Sequence, residues 1–310
     1  MNITEKENIH NLQKIRDEFK NASNIEKIDK GMSNAVYKFD LDGKTTYIKF
    51  GNESILKEAY ATNFANKIKV PSPKIIKFGK TDSLDVEKNK CFLALNEIAG
   101  ESLANITTKK PYCIELGKIL KKMHTHKGLK FGWFNSEGIG NVNTWMEYLF
   151  HHYKTSVMQI LKDKKYLSDL EIEKIANLLN KNISKIETSE NCFLHADLNL
   201  DNIIGNIKKQ KVVGIIDFDL ASWGDPIFDL ALCKYHHDLK GCSDKYYLDI
   251  YEGYNLKVTR EIAHKIAFYN LASLIFKTHN TIKAEKEDVN SKKLFREMLS
   301  SYLTDLVNLS

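Results

Sequence analysis

Near residue 100 the spacing of the apolar residues changes from two to about 3.6, and that change limits the folds open to the chain. Before it, residues 24–29 (NIEKID) and 35–40 (AVYKFD) flank a KGMSN turn, and the Asp-Gly pair at 42–43 closes a second hairpin onto TTYIKF. In that last segment Tyr47 and Lys49 share one face while Ile48 and Phe50 share the other. Three antiparallel strands are therefore expected. A helix follows in ESILKEAYATNFANKI, with Ile55, Leu56, Ala59 and Phe64 at helical spacing and VPSP ending it at 70–73. CFLALNEI then reads as another strand, so the first hundred residues are expected to be mainly strand with one helix. Beyond the change, Leu116, Ile119, Leu120 and Met123 recur at i, i+3, i+4 and i+7. Further helices are expected over 143–161, 168–186, 227–240, 244–253, 259–281 and 291–308, with short strands around HADL, NIIGNI and KVVGIIDF. The expected fold is α+β, with an antiparallel β-rich N-terminal lobe over residues 1–97 and a mainly helical C-terminal lobe over 98–310.

Composition excludes several classes. The 310 residues, 43% of them hydrophobic, suffice for a sizeable core. The net charge of +6 comes from lysines scattered along the whole length, without the dense basic block of a nucleic-acid groove. No apolar run resembles a signal peptide core or a membrane span, so no membrane partner and a cytoplasmic location are expected. The five cysteines form an odd set without a CxxC pair, which points to reduced, structural thiols. The doublets His151-His152 and His236-His237 lack partners at metal-ligand spacing, and surface or packing roles are expected for them. Nothing requires more than a monomer.

Two segments carry chemistry. HADLNLDN at 195–202 holds Asp197 and Asn202 five apart, and Asp217 follows fifteen beyond Asn202 within the apolar run IIDFD. A carboxylate with Ile215, Ile216 and Phe218 around it must be paired, hydrogen-bonded or metal-bound to stay ionised. The spacing repeats a phosphoryl-transfer template in which one Asp orients an attacking hydroxyl while an Asn and a later Asp hold magnesium. Lys49 on the third strand and Glu58 nine residues on in the next helix match the remaining pair of that template. The KGMSN turn offers Gly31 for a tight bend, and backbone N–H groups with Ser33 and Asn34 for phosphate oxygens, although it has one glycine where a GxGxxG loop has three.

In order along residues 31 to about 231, KGMSNAVYKF, YIKF, KEA, FLALNEIAGESL, HADLNLDN and GIIDFDLASWGDPIFDLA resemble the aminoglycoside phosphotransferase family, relatives of choline kinase and the protein kinases. The resemblance implies a two-lobed protein-kinase-like fold, Mg2+, and ATP (GTP being possible) as co-substrate. It implies Asp197 as the catalytic residue, Asn202 and Asp217 as metal ligands, and Lys49 as the phosphate lysine held by Glu58. Gly31, Ser33 and Asn34 would complete the nucleotide site, with Asn96 and Ile98 bonding the base through their backbones, and His195 would be structural. Ala196 stands where the family has Gly, which is benign if its backbone angle suits alanine.

Only six residues separate Asp217 from Gly224, too few for a peptide platform, so the acceptor is expected to be a small molecule. The resemblance favours a cationic, aminoglycoside-like antibiotic, for which acidic side chains must line the cleft. Asp201, Asp219, Glu147, Asp238 and Glu252 are the candidates, each also readable as a cap or a solvated surface charge. Asp225 and Asp229 are expected to brace the GDP turn and the following helix, and Trp133, Trp145 and Trp223 to be core or lobe packing unless one meets the acceptor. The alternatives are a metabolic kinase for choline, an amino alcohol or a sugar, and an inactive kinase-like nucleotide-binding module.

Overall fold

The structure is a computed structural model describing residues 3–28, 34–81 and 90–310, with only the backbone for 3–7. It divides into two compact units: Met1–Glu101 with Asn135–Gly138 and Ile204–Asp219, and Ser102–Phe134 with Ile139–Ile203 and Leu220–Ser310. The first unit begins with α1 (Ile3–Glu18), β1 (Ser23–Ile28), β2 (Ala35–Leu41), β3 (Lys44–Gly51), α2 (Ser54–Lys67), β4 (Ile75–Lys80) and β5 (Cys91–Asn96). Its five strands form one antiparallel sheet in the order β1-β2-β3-β5-β4.

Strand alternation decides what each face of this sheet meets. Tyr37, Phe39, Ile48, Phe50 and Phe92 point to one side and bury against Ile15 of α1 and Phe19 just after its end. Cys91, Leu93 and Leu95 point to the other and pack on Ile55 and Ala59 of α2. α1 corrects the expectation of a single helix in this region. Its polar composition hides a sparse apolar stripe of Leu12 and Ile15, continued by Phe19, which becomes legible only against the sheet it covers. β4, pairing with β5 through residues 75–80, was likewise not expected.

The remaining elements are β6 (Glu101–Ser102), α3 (Lys110–Met123), β7 (Phe131–Phe134), β8 (Gly140–Val142), α4 (Trp145–Tyr153), α5 (Thr155–Asp163), α6 (Asp169–Asn182), β9 (Cys192–Leu194), β10 (Ile203–Asn206), β11 (Lys211–Ile215), β12 (Ser222–Gly224), α7 (Pro226–Lys240), α8 (Tyr246–Tyr254), α9 (Arg260–Lys283) and α10 (Ser291–Leu309). In the second unit β8, β7, β12 and β9 form a small sheet in that order. α9 is its central helix, buried almost continuously from His264 to Ile275, and α4, α5, α7 and α10 pack on it. The stretch expected as one helix over 143–161 is two, because the backbone turns extended at Lys154 (ψ 158°). The five cysteines are free, four of them buried. Among the described residues no helix is long and apolar enough to cross a membrane.

Candidate functional site

In the first unit the strand period sets up the leading cluster. Lys49 lies on β3, on the sheet face that α2 covers, and Glu58 is one of the buried positions of α2. The Lys49 ammonium sits 2.6 Å from Glu58 Oε1 and 2.6 Å from Asp217 Oδ1, a residue 168 positions away in sequence. Burial alone would lower the Lys49 pKa, but the two carboxylates outweigh it and hold the group above the ordinary lysine range. Glu58 is pushed up, chiefly by burial, with Lys49 opposing and the Asp217 charge adding to the rise. Its second oxygen has no hydrogen-bond partner among the described residues.

Asp217 departs from the expected buried strand. β11 stops at Ile215, and Asp217 stands two residues beyond it in the left-handed region, φ 67°, with its side chain 37% exposed. Asp tolerates that region better than most residues, and the bend turns the carboxylate out of the apolar run towards Lys49. Of the expected phosphate turn, Gly31 and Ser33 lie outside the described residues. Asn34 is described, and a Cβ on Gly51 would collide with its side-chain oxygen. Asn96 uses its N–H on the Lys74 carbonyl at 3.1 Å and its side chain on Lys74 and Glu97. That N–H is committed to the sheet and is not a donor for a base. The Ile98 side chain packs over Gly214.

In the second unit Asp197 follows β9 on a loop whose shape is imposed from below. Ala196 has φ 60°, so the condition attached to it is not met: this is the left-handed region that disfavours a Cβ. Asp229, fully buried on α7, holds the loop there by accepting from the N–H groups of His195 at 2.9 Å and Ala196 at 2.7 Å, while His124 Nε2 lies 3.1 Å from it. Asp229 therefore braces the loop that carries Asp197 and not only its own helix. Asp225 caps α7 and pairs with Lys265 and Tyr269, as its structural reading requires.

Asn199 caps the short turn Leu200–Asn202. Asn202 donates from Nδ2 to the Asp197 carbonyl at 3.0 Å and to Asp197 Oδ2 at 3.3 Å, which turns its own carbonyl oxygen away from Asp197. Asp197 Oδ1 faces two side chains, a lysine and a buried histidine, that the sequence did not single out for it. Lys277 of α9 donates to it at 2.6 Å, and His236 Nε2 lies 3.2 Å away without the alignment of a hydrogen bond. Burial would raise the Asp197 pKa, but Lys277 and His236 hold it well below the carboxylate range. His152, His236 and His237 are buried, the packing alternative of the two roles expected for the doublets.

Asp217 and Asn202 each keep an oxygen that Lys49 and Asp197 do not engage, and hard oxygens suit magnesium. Among the described residues no group of three or more His, Cys, Asp or Glu is arranged to hold a metal. Of the acidic acceptor candidates, Asp201 pairs with Lys240 and Glu147 closes the capping box of α4. Asp238 binds Lys234 and Tyr302, Glu252 lies 3.9 Å from Lys110, and Asp219 belongs to the first unit. Trp145 and Trp223 are core, while Trp133 is half-buried.

The chain resembles known proteins in sequence and in fold. The sequence model of the phosphotransferase enzyme family matches residues 24–261, more than half of the chain. The crystal structure of aminoglycoside phosphotransferase APH(4)-Ia superposes with a TM-score of 0.73 at 12% identity, covering 96% of this chain and 98% of that one. A mutant of the same protein in ternary complex with ADP and hygromycin B gives a TM-score of 0.69 at 12% identity, covering 94% and 97%. Aminoglycoside phosphotransferase APH(3'')-Id from Streptomyces rimosus gives 0.62 at 15%, covering 86% and 98%. At these identities the likeness establishes the two-lobed kinase-like α+β fold. Acyl-CoA dehydrogenase family member 11 of Mus musculus is 35% identical over 60 residues, which is 19% of this chain and 8% of that protein's length.

Proposed function

The chain belongs to the phosphotransferase enzyme family, and from that premise we propose that it transfers the γ-phosphoryl group of ATP to a hydroxyl of a small molecule. The observation that carries the reading is the meeting of Lys49, Glu58 and Asp217 across 168 residues, which the sequence template required. In the transfer the acceptor oxygen bonds to the γ-phosphorus as the bond to the β-bridging oxygen breaks. ADP leaves, and the hydroxyl proton passes to Asp197. A carboxylate held as low as Asp197 is a weak base, so its main work is to orient the hydroxyl, with proton transfer late. Lys49, kept charged by Glu58, pairs with phosphate oxygens, and Asn34 with Gly31 and Ser33 of the same turn supplies further donors. Asn202 and Asp217 are the ligands proposed for Mg2+, which when bound neutralises charge on the phosphates. GTP shares this phosphate chemistry. Lobes over 1–97 and 98–310, a cytoplasmic location and a monomeric state complete the proposal.

The aminoglycoside reading draws its support from the solved relatives, one of which holds hygromycin B together with ADP. It requires free acidic side chains, whereas Asp201, Asp238, Glu147 and Glu252 already have partners. The second reading, a metabolic kinase for a small alcohol, is favoured by the ammonium of Lys277 on Asp197, where a polycation would need negative charge. Magnesium-dependent ADP release with aminoglycosides, choline, sugars and small alcohols tests the proposal. An inactive module gives nothing above background. Asp217→Ala should abolish nucleotide turnover, and Asp197→Ala should slow transfer by roughly 10²–10⁴ while leaving nucleotide affinity nearly intact. Equal loss of affinity and rate in Asp197→Ala contradicts this division of labour.

A further inference from the structure

Beside the catalytic carboxylate the second unit contains a pocket whose walls include Trp133, His152, Ala196, Ser273, Phe276 and Lys277. Ala196 joins it directly to Asp197, and Lys277 reaches Asp197 Oδ1 at 2.6 Å with its side chain 19% exposed. His152 is 3% exposed and stacks on Phe276, ring centroids 4.4 Å apart, and parallel to Trp133 at 6.2 Å. Neither nitrogen of its ring has a hydrogen-bond partner among the described residues, and the buried hydroxyl of Ser273 has none either. Burial, helped by the charges of Lys277 and His151, keeps His152 neutral, down to a pKa of about 3. Two unpaired neutral polar groups, aromatic walls and one ammonium therefore surround a space that borders the group expected to orient the acceptor. Unpaired buried polar groups are costly, and their retention in a pocket is accounted for by a ligand that bonds them.

We propose that Lys277, in contact with the carboxylate that orients the acceptor, selects the acceptor's charge: the acceptor is a hydroxyl compound carrying an oxyanion, a carboxylate or a phosphate. The inference rests on the small-molecule kinase reading and deepens it. To take the acceptor hydroxyl, Asp197 Oδ1 must give up part of its contact with Lys277, whose ammonium then needs another anion in a half-buried place. An oxyanion on the acceptor supplies one. A cationic acceptor instead sets like charge against Lys277 and offers it nothing. Burial, with the charges of Lys277 and Lys240, lowers the His236 pKa, so Lys277 is the charged group on Asp197 Oδ1, and the carboxylate of Asp201 is already matched by Lys240. The pocket itself is about 10 Å³, room for about one water beside His152 and Ser273.

The test uses acceptors matched in everything but sign. Initial rates of ADP release with magnesium and ATP are measured for glycerate against 3-amino-1,2-propanediol and for phenyllactate against 1-amino-3-phenyl-2-propanol. Glycerol 3-phosphate tests the phosphate form, and glycerol is the neutral reference. The expected result is a kcat/KM at least about ten-fold higher for the anionic member of a pair, a site built around a charged contact rejecting the analogue that lacks it. Lys277→Met should erase the preference by raising KM for the anionic acceptor, with KM for ATP unchanged, and Lys277→Arg should restore it. Unchanged KM for ATP shows that the variants are folded. Preference for the amino alcohols, a preference that survives Lys277→Met, or turnover of glycerol but of neither charged form overturns the inference alone. Absence of ADP release with every compound overturns it together with the kinase reading.

Discussion

Ala196 stands at φ 60°, where an L residue with a Cβ loses roughly 1–2 kcal/mol relative to the right-handed region. Two hydrogen bonds from the loop to the buried Asp229 carboxylate hold it there, each charge-assisted and so stronger than a neutral one. Ala196→Gly should therefore stabilise the protein by about 0.5–1 kcal/mol, the relief of strain exceeding the extra entropy of glycine in the unfolded chain. Urea denaturation measures it, and a neutral or lower midpoint contradicts the strain argument. Asp197, Asn202, Asp217, Lys49 and Glu58 were legible in sequence because spacing within a template carries them. Lys277 was not, since its meaning lies in a contact 80 residues away. The signal it left is that eleven uncharged residues precede it in α9 after Lys265, which makes it the first cation at the end of a buried run. His236 left only its place in a doublet.

α3 and α8 pack closely because glycines meet at the crossing. A Cβ on Gly117 would strike the Ile250 carbonyl and the Tyr254 N–H group, and one on Gly253 would strike the Ile114 carbonyl. These obstacles are backbone and cannot swing aside. Gly117→Ala should thus destabilise by about 1–3 kcal/mol through overpacking, even though alanine gains about 1 kcal/mol of helix propensity over glycine. A raised thermal midpoint in that variant is the result that excludes the close crossing. The long helices and β1–β3 were legible because each buries a regular stripe or alternates faces. β7, β8 and β12 span only 4, 3 and 3 residues, too short for any period to show, and pairing partners supplied by the fold make them strands. The break at Lys154 escaped for a related reason, as α4 and α5 each keep their own buried stripe.

Stability of the molecule against acid follows from its buried histidines. His152 keeps a pKa of about 3 when folded, whereas in the unfolded chain it is protonated below about 6.5. Within that window the unfolded state binds the extra proton, so stability falls as pH drops, by up to about 1.4 kcal/mol per unit from this residue. His236, His264 and His279 are shifted the same way, burial being the first cause for each. The depressed Asp197 acts only lower, its contribution being complete above about 3.9, the unfolded carboxylate value, and lost as pH falls through its folded pKa. His152→Phe, which keeps the ring, should flatten the decline in urea-unfolding free energy between about pH 6.5 and pH 4. An unchanged slope removes His152 from the account. By itself the sequence determined the class of fold and picked out Lys49, Glu58 and Asp217, which the fold brings together, because strand and helix periods and a spaced set of Asp, Asn and Lys are local properties of the chain. What surrounds Asp197 was decided only by tertiary structure. α4 and α9 bring His152, Ser273 and Lys277 beside Asp197, and the burial and charge that set their behaviour exist only once distant segments have packed together.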